Sequence, residues 1–315
     1  MKLLVTRPMT ARAEEALRAA FDTTIRDSKA AMTEAEVAEA LADYDAILPT
    51  LGDGFTAAAF HSRPRARIIA NFGAGYNHID LGAAKAAGIV VTNTPDVVTD
   101  ATADIALTLI LMTARRAAEG ERLVRAGLWT GWHPTQMLGM HVTGRTVGII
   151  GMGRIGLAIA RRCHFGFGMT VAFHNRSTVT GLDFPARQLG LADLLGAADI
   201  VVLAVPGGAA TRHLIGPDAL ARMQPHAILI NIARGDVVDE AALIAALEAG
   251  RIAGAGLDVY EREPLVPKAL TARDDVVLLP HLGTATDDVR TDMALRSLAN
   301  LRAYFQGEAP PDRVA

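Results

Sequence analysis

Cysteine is almost absent. Cys163 is the only one in 315 residues, so no intrachain disulfide can form and no cysteine-based metal centre is expected. It follows Arg161 and Arg162 in a helical run, where a packed bystander is expected rather than a nucleophile. Excess charge is also absent: 31 basic residues face 34 acidic ones, for a net charge of −3. That balance gives no reason to expect nucleic acid or an anionic membrane as partner. No apolar run reaches membrane-spanning length without a charge, and the opening MKLLVTRPMT lacks the apolar core of a signal peptide. A cytoplasmic protein is expected. Aromatic residues make up only 5%, and both tryptophans sit in one stretch, Leu128-Trp129-Thr130-Gly131-Trp132-His133-Pro134. Aromatics gathered in a loop serve an interface more often than a core. Low-complexity tracts and short-period repeats are missing as well.

What remains is an ordinary globular composition, half apolar and 21% charged, and a length that suits about two domains. Strands are read at 2–6, 44–50, 67–71 and 89–92, with helices at 11–21, 33–42 and 81–87. Thr10 is placed to cap the first helix, and Thr33 with Glu36 forms a capping box for the second. A long helix over 100–119 reads as a bridge between two domains. Strands recur at 147–150, 169–173, 200–205, 227–232, 255–259 and 276–279, with a helix at 240–249. A last helix over 286–305 lies beyond the final strand and is expected to return to the first domain. This alternation predicts an α/β protein whose parallel sheets are covered on both faces. The expected division is 1–98 with 285–315, and 99–284.

The chain is organised around 146–177. Gly151, Gly153 and Gly156 form G-x-G-x-x-G after one strand and at the opening of a helix, with a second strand closing the unit. That context is the one a dinucleotide fingerprint requires. The first glycine permits the tight turn, the second lets backbone approach a pyrophosphate, and the third lets helix pack on strand. The helix N-terminus offers free N–H groups to phosphates. The closing strand ends in His174-Asn175-Arg176-Ser177. An NAD-specific site usually carries an acid about 20 residues past the glycines. Here the acid is absent and Arg176 stands at about that distance. A guanidinium can pair with a 2′-phosphate, and Asn175 and Ser177 can donate hydrogen bonds to it. NADP(H) is therefore preferred, with a solvated turn arginine and NAD(H) binding as the alternative.

Three polar residues fall near the carboxyl ends of later strands, where ligands of open α/β sheets bind. These are Arg234, Glu263 and His281. Taken singly, Arg234 reads as a strand-end cap, Glu263 as a surface acid before a proline and His281 as a core histidine. Together they suit carbonyl reduction. Hydride delivered to a ketone carbon leaves negative charge on oxygen, and a positioned histidine can donate the proton. A carboxylate can hold the ring and favour its charged form. An arginine can bind a substrate carboxylate and polarise the carbonyl.

These residues carry a resemblance. The fingerprint, the run Asn231-Ile232-Ala233-Arg234-Gly235-Asp236-Val237-Val238-Asp239, the run from Gly256-Leu257-Asp258-Val259-Tyr260 to Glu263-Pro264, and Pro280-His281-Leu282-Gly283-Thr284-Ala285-Thr286 resemble the D-isomer-specific 2-hydroxyacid dehydrogenases. Gly73-Ala74-Gly75-Tyr76-Asn77-His78-Ile79-Asp80 and Val91-Thr92-Asn93-Thr94-Pro95 extend the likeness to about residues 45–310. Within the family, residues 96–104, Trp132-His133-Pro134 and Asn175-Arg176-Ser177 look most like the glyoxylate/hydroxypyruvate reductases.

The resemblance implies two Rossmann-like, doubly wound domains: a flavodoxin-like substrate domain and an NAD(P)-binding domain. It implies Arg234 as the substrate-orienting arginine, Glu263 as the carboxylate partner and His281 as proton donor. Cofactor contacts are implied from Gly151, Met152, Gly153, Arg154, Ile155, Gly156, Asn175, Arg176, Ser177, Val205 and Pro206. Others are implied from Thr211, Ile232, Ala233, Arg234, Asp258, His281 and Gly283. The N–H groups of Ala74 and Gly75 are implied to hold the substrate carboxylate, with Leu51 as a specificity residue. A homodimer is implied, with the 129–140 loop crossing to the partner, and no metal is called for. The expected reaction is NADPH-dependent reduction of glyoxylate, hydroxypyruvate or similar small 2-oxo acids to (R)-2-hydroxy acids. A bulkier 2-oxo acid and a dinucleotide-sensing binding protein are the alternatives. Asn77 and Leu282 depart from the family's common aspartate and isoleucine, and the aromatic that relatives with the same loop often carry near Gln136, a substrate contact supplied by the partner, is absent.

Overall fold

The computed structural model describes residues 1–60 and 64–315. The chain divides into two compact units, Met1–Val98 with Thr284–Ala315, and Thr99–Gly283.

The first unit is built on five parallel strands: β1 (Lys2–Val5), β2 (Asp22–Ile25), β3 (Ala46–Leu48), β4 (Ile68–Ala70) and β5 (Val90–Thr92). Their order is β2-β1-β3-β4-β5, the flavodoxin-like one. Alternate side chains leave a strand on opposite faces. Leu4, Ile47, Ile69 and Val91 accordingly enter one core, and Leu3, Val5, Ala46, Leu48, Ile68 and Ala70 the other. Both faces are covered, which is why these strands read as continuous apolar runs. The helix Asp287–Phe305 supplies Leu298 and Leu301 to the second of these cores. Each buried leucine contributes about 1.5–3 kcal/mol of transfer free energy. Buried Asp312 ties the tail down by accepting from Arg296 at 2.6 and 2.7 Å and from Asn300 at 2.9 Å. The capping box of the helix Glu34–Asp43 is present, with Thr33 and Glu36 bonded reciprocally. Thr10, by contrast, stands at an N-cap position without capping, because its hydroxyl pairs with that of Thr291 at 2.7 Å.

The second unit holds β6 (Thr146–Ile150), β7 (Thr170–His174), β8 (Ala186–Gln188), β9 (Ile200–Leu203), β10 (Ile228–Asn231), β11 (Gly254–Leu257) and β12 (Val276–Leu278). All pairings are parallel, in the order β8-β7-β6-β9-β10-β11-β12. This is the dinucleotide-fold order with a seventh strand, and its order reverses between β6 and β9. One face packs on the helices Thr99–Ala114 and Arg154–Arg161, through Leu109, Ile110 and Ile159. The other packs on the helices Leu191–Ala197 and Glu240–Glu248. Cys163 is fully buried, and burial pushes its thiol up to about 12, so it is inert packing.

The structure divides the helix expected over 100–119. It stops at Ala114, Arg116 adopts a left-handed backbone at φ 53°, and a new helix runs Ala117–Arg125. The Ala114 carbonyl is taken by the Met140 N–H at 2.7 Å, so it no longer serves a continuing helix. Strands β2 and β8 were not anticipated: β2 (DTTI) and β8 (ARQ) are polar, so neither has an apolar signature. Among the described residues no helix is long and apolar enough to cross a membrane, and no cluster of potential metal ligands occurs.

Candidate active site

The glycine loop joins β6 to the helix Arg154–Arg161 at the sheet's switch point. Gly151 has φ 100°, and a Cβ there would lie 2.6 Å from the Ala204 carbonyl oxygen. A Cβ on Gly156 would lie 2.0 Å from the Gly151 oxygen, whereas Gly153 faces open space. Two glycines thus make the turn and the helix contact, and the third leaves room for a ligand. No side chain caps this helix, and the N–H groups of Gly153 and Ile155 meet no acceptor among the described residues. An uncapped, roomy helix start fits a pyrophosphate.

Beyond β7, Asn175 folds back on the loop. Its Oδ1 accepts from the Met152 N–H at 3.3 Å, and its Nδ2 donates to Ser177 O and Oγ at 3.0 and 3.1 Å. Arg176 is exposed and has no hydrogen bond or ion pair with another described residue. No carboxylate occupies this turn. Val205 and Pro206 follow β9, and Thr211 Oγ1 closes their loop by donating to the Pro206 carbonyl at 2.7 Å. Ile232 and Ala233 follow β10 and are buried. All these positions lie past the carboxyl ends of strands in one sheet.

The ends of β10, β11 and β12 carry Arg234, Glu263 and His281. Asn231, at the end of β10, accepts from the Ala233 N–H at 3.0 Å and donates to the Arg234 carbonyl at 2.9 Å, which sets the bend at Arg234. The Asp258 N–H donates to the Asn231 carbonyl at 3.0 Å, and the His281 N–H to the Asp258 carbonyl at 3.0 Å. The Tyr260 hydroxyl donates to the Leu279 carbonyl at 2.8 Å. Three neighbouring strand ends are thereby sewn together. His281 Nδ1 lies 2.8 Å from Glu263 Oε2, and Glu263 Oε1 accepts from the Tyr260 N–H at 3.1 Å. His281 has a left-handed backbone at φ 55°, a conformation that costs a non-glycine residue about 1–3 kcal/mol and collects at functional sites.

The electrostatics follow from this packing. Burial pushes the Glu263 carboxyl up, but its hydrogen bond and charge interaction with His281, the Tyr260 N–H and Arg234 outweigh that and leave it below the usual range. Burial pulls the Arg234 guanidinium below its ordinary value, against the opposing pull of Glu263 and Asp236. The Arg234 guanidinium thus interacts with the carboxylate that holds the imidazole, and a cation so placed suits a developing oxyanion. Asp258 is buried and raised by burial, although the Leu282 and Gly283 N–H groups at 2.6 and 2.9 Å oppose the shift. Expected as a cofactor contact, it also holds the His281-Leu282-Gly283 backbone. Gly283 is gripped from the other side, its carbonyl accepting from Thr102 Oγ1 at 3.2 Å.

In the first unit Leu51, Ala74 and Gly75 follow β3 and β4. The Gly73 and Gly75 carbonyls accept from Asn71 Nδ2 at 2.9 and 3.1 Å, and the Ala74 carbonyl from Asn93 Nδ2 at 2.8 Å. With the carbonyls tied back, the Ala74 and Gly75 N–H groups have no acceptor among the described residues. Such adjacent free amides receive anions. The Leu51 carbonyl accepts from Arg7 Nη1 at 2.9 Å, and Arg7 pairs with buried Asp53 at 3.4 Å.

Sequence reasoning passed over Gly235, Tyr260 and Arg7. A Cβ on Gly235 would lie 1.8 Å from the Tyr260 carbonyl carbon, so only glycine lets the Arg234 bend meet the Glu263 loop. The glycine after Arg234 was the one visible signal. The partners of Arg7 and of the Tyr260 hydroxyl are too distant in sequence to be read, and the bond of the Tyr260 N–H to Glu263 depends on the conformation of the loop between them.

A family profile described as "D-isomer specific 2-hydroxyacid dehydrogenase, NAD binding domain" matches residues 107–283. A glyoxylate reductase of Thermococcus onnurineus is 43% identical over 319 residues, covering 99% of this chain and 95% of that protein. One from Pyrococcus horikoshii is 47% identical over 278 residues, covering 86% and 83%. A crystal structure of an NADPH-dependent glyoxylate/hydroxypyruvate reductase from Sinorhizobium meliloti, in complex with NADP and malonate, superposes with a TM-score of 0.89. That protein is 39% identical, and the match covers 100% of this chain and 96% of that one.

Proposed function

This chain belongs to the D-isomer-specific 2-hydroxyacid dehydrogenases, an NAD(P)-dependent oxidoreductase, and from that premise we propose that it reduces glyoxylate, hydroxypyruvate and similar small 2-oxo acids with NADPH as preferred reductant. The observation that carries the reading is the His281–Glu263 pair, 2.8 Å apart in the same sheet-end cluster as the half-buried Arg234. The curated relatives just described are glyoxylate reductases, which supports the small substrate.

The glycine loop 151–156 would hold the pyrophosphate of the dinucleotide. When bound, the reduced nicotinamide supplies the hydride that the keto carbon accepts. Arg234 draws electron density onto the carbonyl oxygen. His281 donates Nδ1–H to Glu263, which turns Nε2 toward substrate, and the Nε2 proton goes to that oxygen. The carbonyl thereby gains one hydride on carbon and one proton on oxygen, giving an (R)-2-hydroxy acid where the product is chiral. The free amides of Ala74 and Gly75 serve the substrate carboxylate, and Leu51 bears on its side chain.

NADPH preference rests on the missing acid past β7 and on the uncommitted Arg176 guanidinium. The relative bound to NADP supports it. The same reading makes the protein a homodimer. Leu128, Trp129, Trp132 and Leu138 are 66%, 51%, 79% and 68% exposed, a concentration of apolar surface that marks protein interfaces.

The decisive experiment is reduced-dinucleotide oxidation by the purified protein against a panel of 2-oxo acids. Turnover is expected with glyoxylate and hydroxypyruvate, faster with NADPH than with NADH. Turnover confined to phenylpyruvate-type acids overturns the substrate assignment, and binding of dinucleotide without turnover of any acid overturns the enzyme reading. Arg176→Ala is expected to weaken NADPH far more than NADH; an equal effect on both removes the 2′-phosphate assignment.

A further inference from the structure

Strand β8 has no counterpart in the expected chemistry, yet its last residue reaches the turn that follows β7. Gln188 makes three hydrogen bonds there through one carboxamide. Its Nε2 donates to the Asn175 carbonyl at 3.1 Å and to the Ser177 carbonyl at 2.9 Å, while its Oε1 accepts from the Val179 N–H at 3.1 Å. The register explains the reach: Gln188 pairs with Phe173, and the Leu189 N–H donates to the Phe173 carbonyl at 2.8 Å, which brings Gln188 beside the end of β7.

The consequence is directional. Two carbonyl oxygens of the turn are drawn toward Gln188, and the Asn175 side chain takes the Ser177 carbonyl as well at 3.0 Å. The N–H groups of Arg176 and Ser177 are left with no acceptor among the described residues. Carbonyl oxygens repel an anion and N–H groups attract it. A turn locked this way presents donors and the Arg176 guanidinium to one ligand, with the electronegative groups occupied elsewhere. The Asn175 side chain also accepts from Met152 N–H at 3.3 Å. A single network therefore connects Gln188 to the glycine loop.

We propose that Gln188 is a positioning residue for NADPH selectivity, holding the 175–179 turn in the form that receives the 2′-phosphate of the dinucleotide. This rests on the NADPH reading above. Gln188 acts through the turn and touches neither the nicotinamide nor the reacting carbon.

The test is calorimetric titration of adenosine 2′,5′-bisphosphate and of ADP into the wild type, Gln188→Ala, Gln188→Glu and Arg176→Ala proteins. ADP lacks the 2′-phosphate and serves as the control. Gln188→Ala is expected to weaken the 2′,5′-bisphosphate about 3–10-fold, the effect of about one net hydrogen bond, and to leave ADP unchanged. Gln188→Glu, which loses both donated bonds and adds a negative charge, is expected to weaken it further. In turnover, the KM for NADPH rises by the same factor while kcat and the KM for NADH stay constant. Equal weakening of both nucleotides by Gln188→Ala, or none, overturns the proposal. Selectivity lost in Arg176→Ala but kept in both Gln188 variants overturns it while sparing the NADPH reading. A wild type that binds the two nucleotides equally overturns both.

Discussion

His281 Nδ1 lies 2.8 Å from Glu263 Oε2 across a separation of 18 residues. The pair exists because β11 and β12 are parallel neighbours whose loops leave the sheet at the same end. The Tyr260 N–H fixes the other carboxylate oxygen, so the acid is aimed rather than merely close. Both members keep about 30% of their side-chain surface exposed, enough to meet a ligand.

His281→Ala is therefore expected to lower kcat with glyoxylate by about 10²–10⁴-fold, the usual share of a positioned acid, with dinucleotide affinity preserved. Steady-state kinetics with calorimetric dinucleotide binding checks this. An unchanged kcat would take His281 out of the mechanism.

Gly235→Ala should disable the enzyme without touching any reacting group. The new Cβ would lie 1.8 Å from Tyr260 C and 2.3 Å from Glu261 N, both backbone atoms that cannot yield locally. Overpacking of this kind costs about 1–3 kcal/mol, and here the strain separates Arg234 from the Glu263 loop. Thermal denaturation should show the loss of stability, and kcat/KM should fall with it. A variant as stable and active as the wild type would contradict the close approach.

The pH dependence of stability carries a sign that follows from Glu263. Its native carboxyl is lowered from an ordinary value of 4.5. The unfolded state thus takes up the proton first as pH falls. The stability it contributes is complete above about pH 4.5 and is lost as pH drops through the lowered native value. Denaturant titrations of wild type and Glu263→Gln should show a stability difference that is constant at neutral pH and shrinks in that acid window. A difference independent of pH would show that the native carboxyl is not lowered.

Trp132→Ser combined with Leu138→Ser is expected to shift the protein from dimer toward monomer in sedimentation, leaving the melting temperature of each unit nearly unchanged because neither side chain is packed in its own chain. A wild type that sediments as a monomer would refute the homodimer.

Gly151, Gly153 and Gly156 were legible as a phosphate loop because the requirement is local: a turn, an approach and a helix contact within six consecutive residues. The sheets were legible because strands buried on both faces must be continuously apolar, as β3, β4 and β9 are. The absence of an acid beside Arg176 was legible because that acid's usual place past the glycines is predictable. Polar β2 and β8 escaped notice for the converse reason, since their pairing comes from neighbours and not from their own side chains.

Sequence alone thus determined the α/β architecture, the glycine loop and the identities of the polar residues at strand ends. Tertiary structure decided how those residues meet: which carboxylate oxygen faces His281, why only glycine can follow Arg234, what holds the His281 backbone at positive φ, and that Gln188 pulls the carbonyls of the Arg176 turn aside. The division has one physical cause. Periodicity and turn chemistry act over a few residues and are written along the chain. The hydrogen bonds that aim a side chain join parallel strands through long connections, and their geometry arises only when the strands pair.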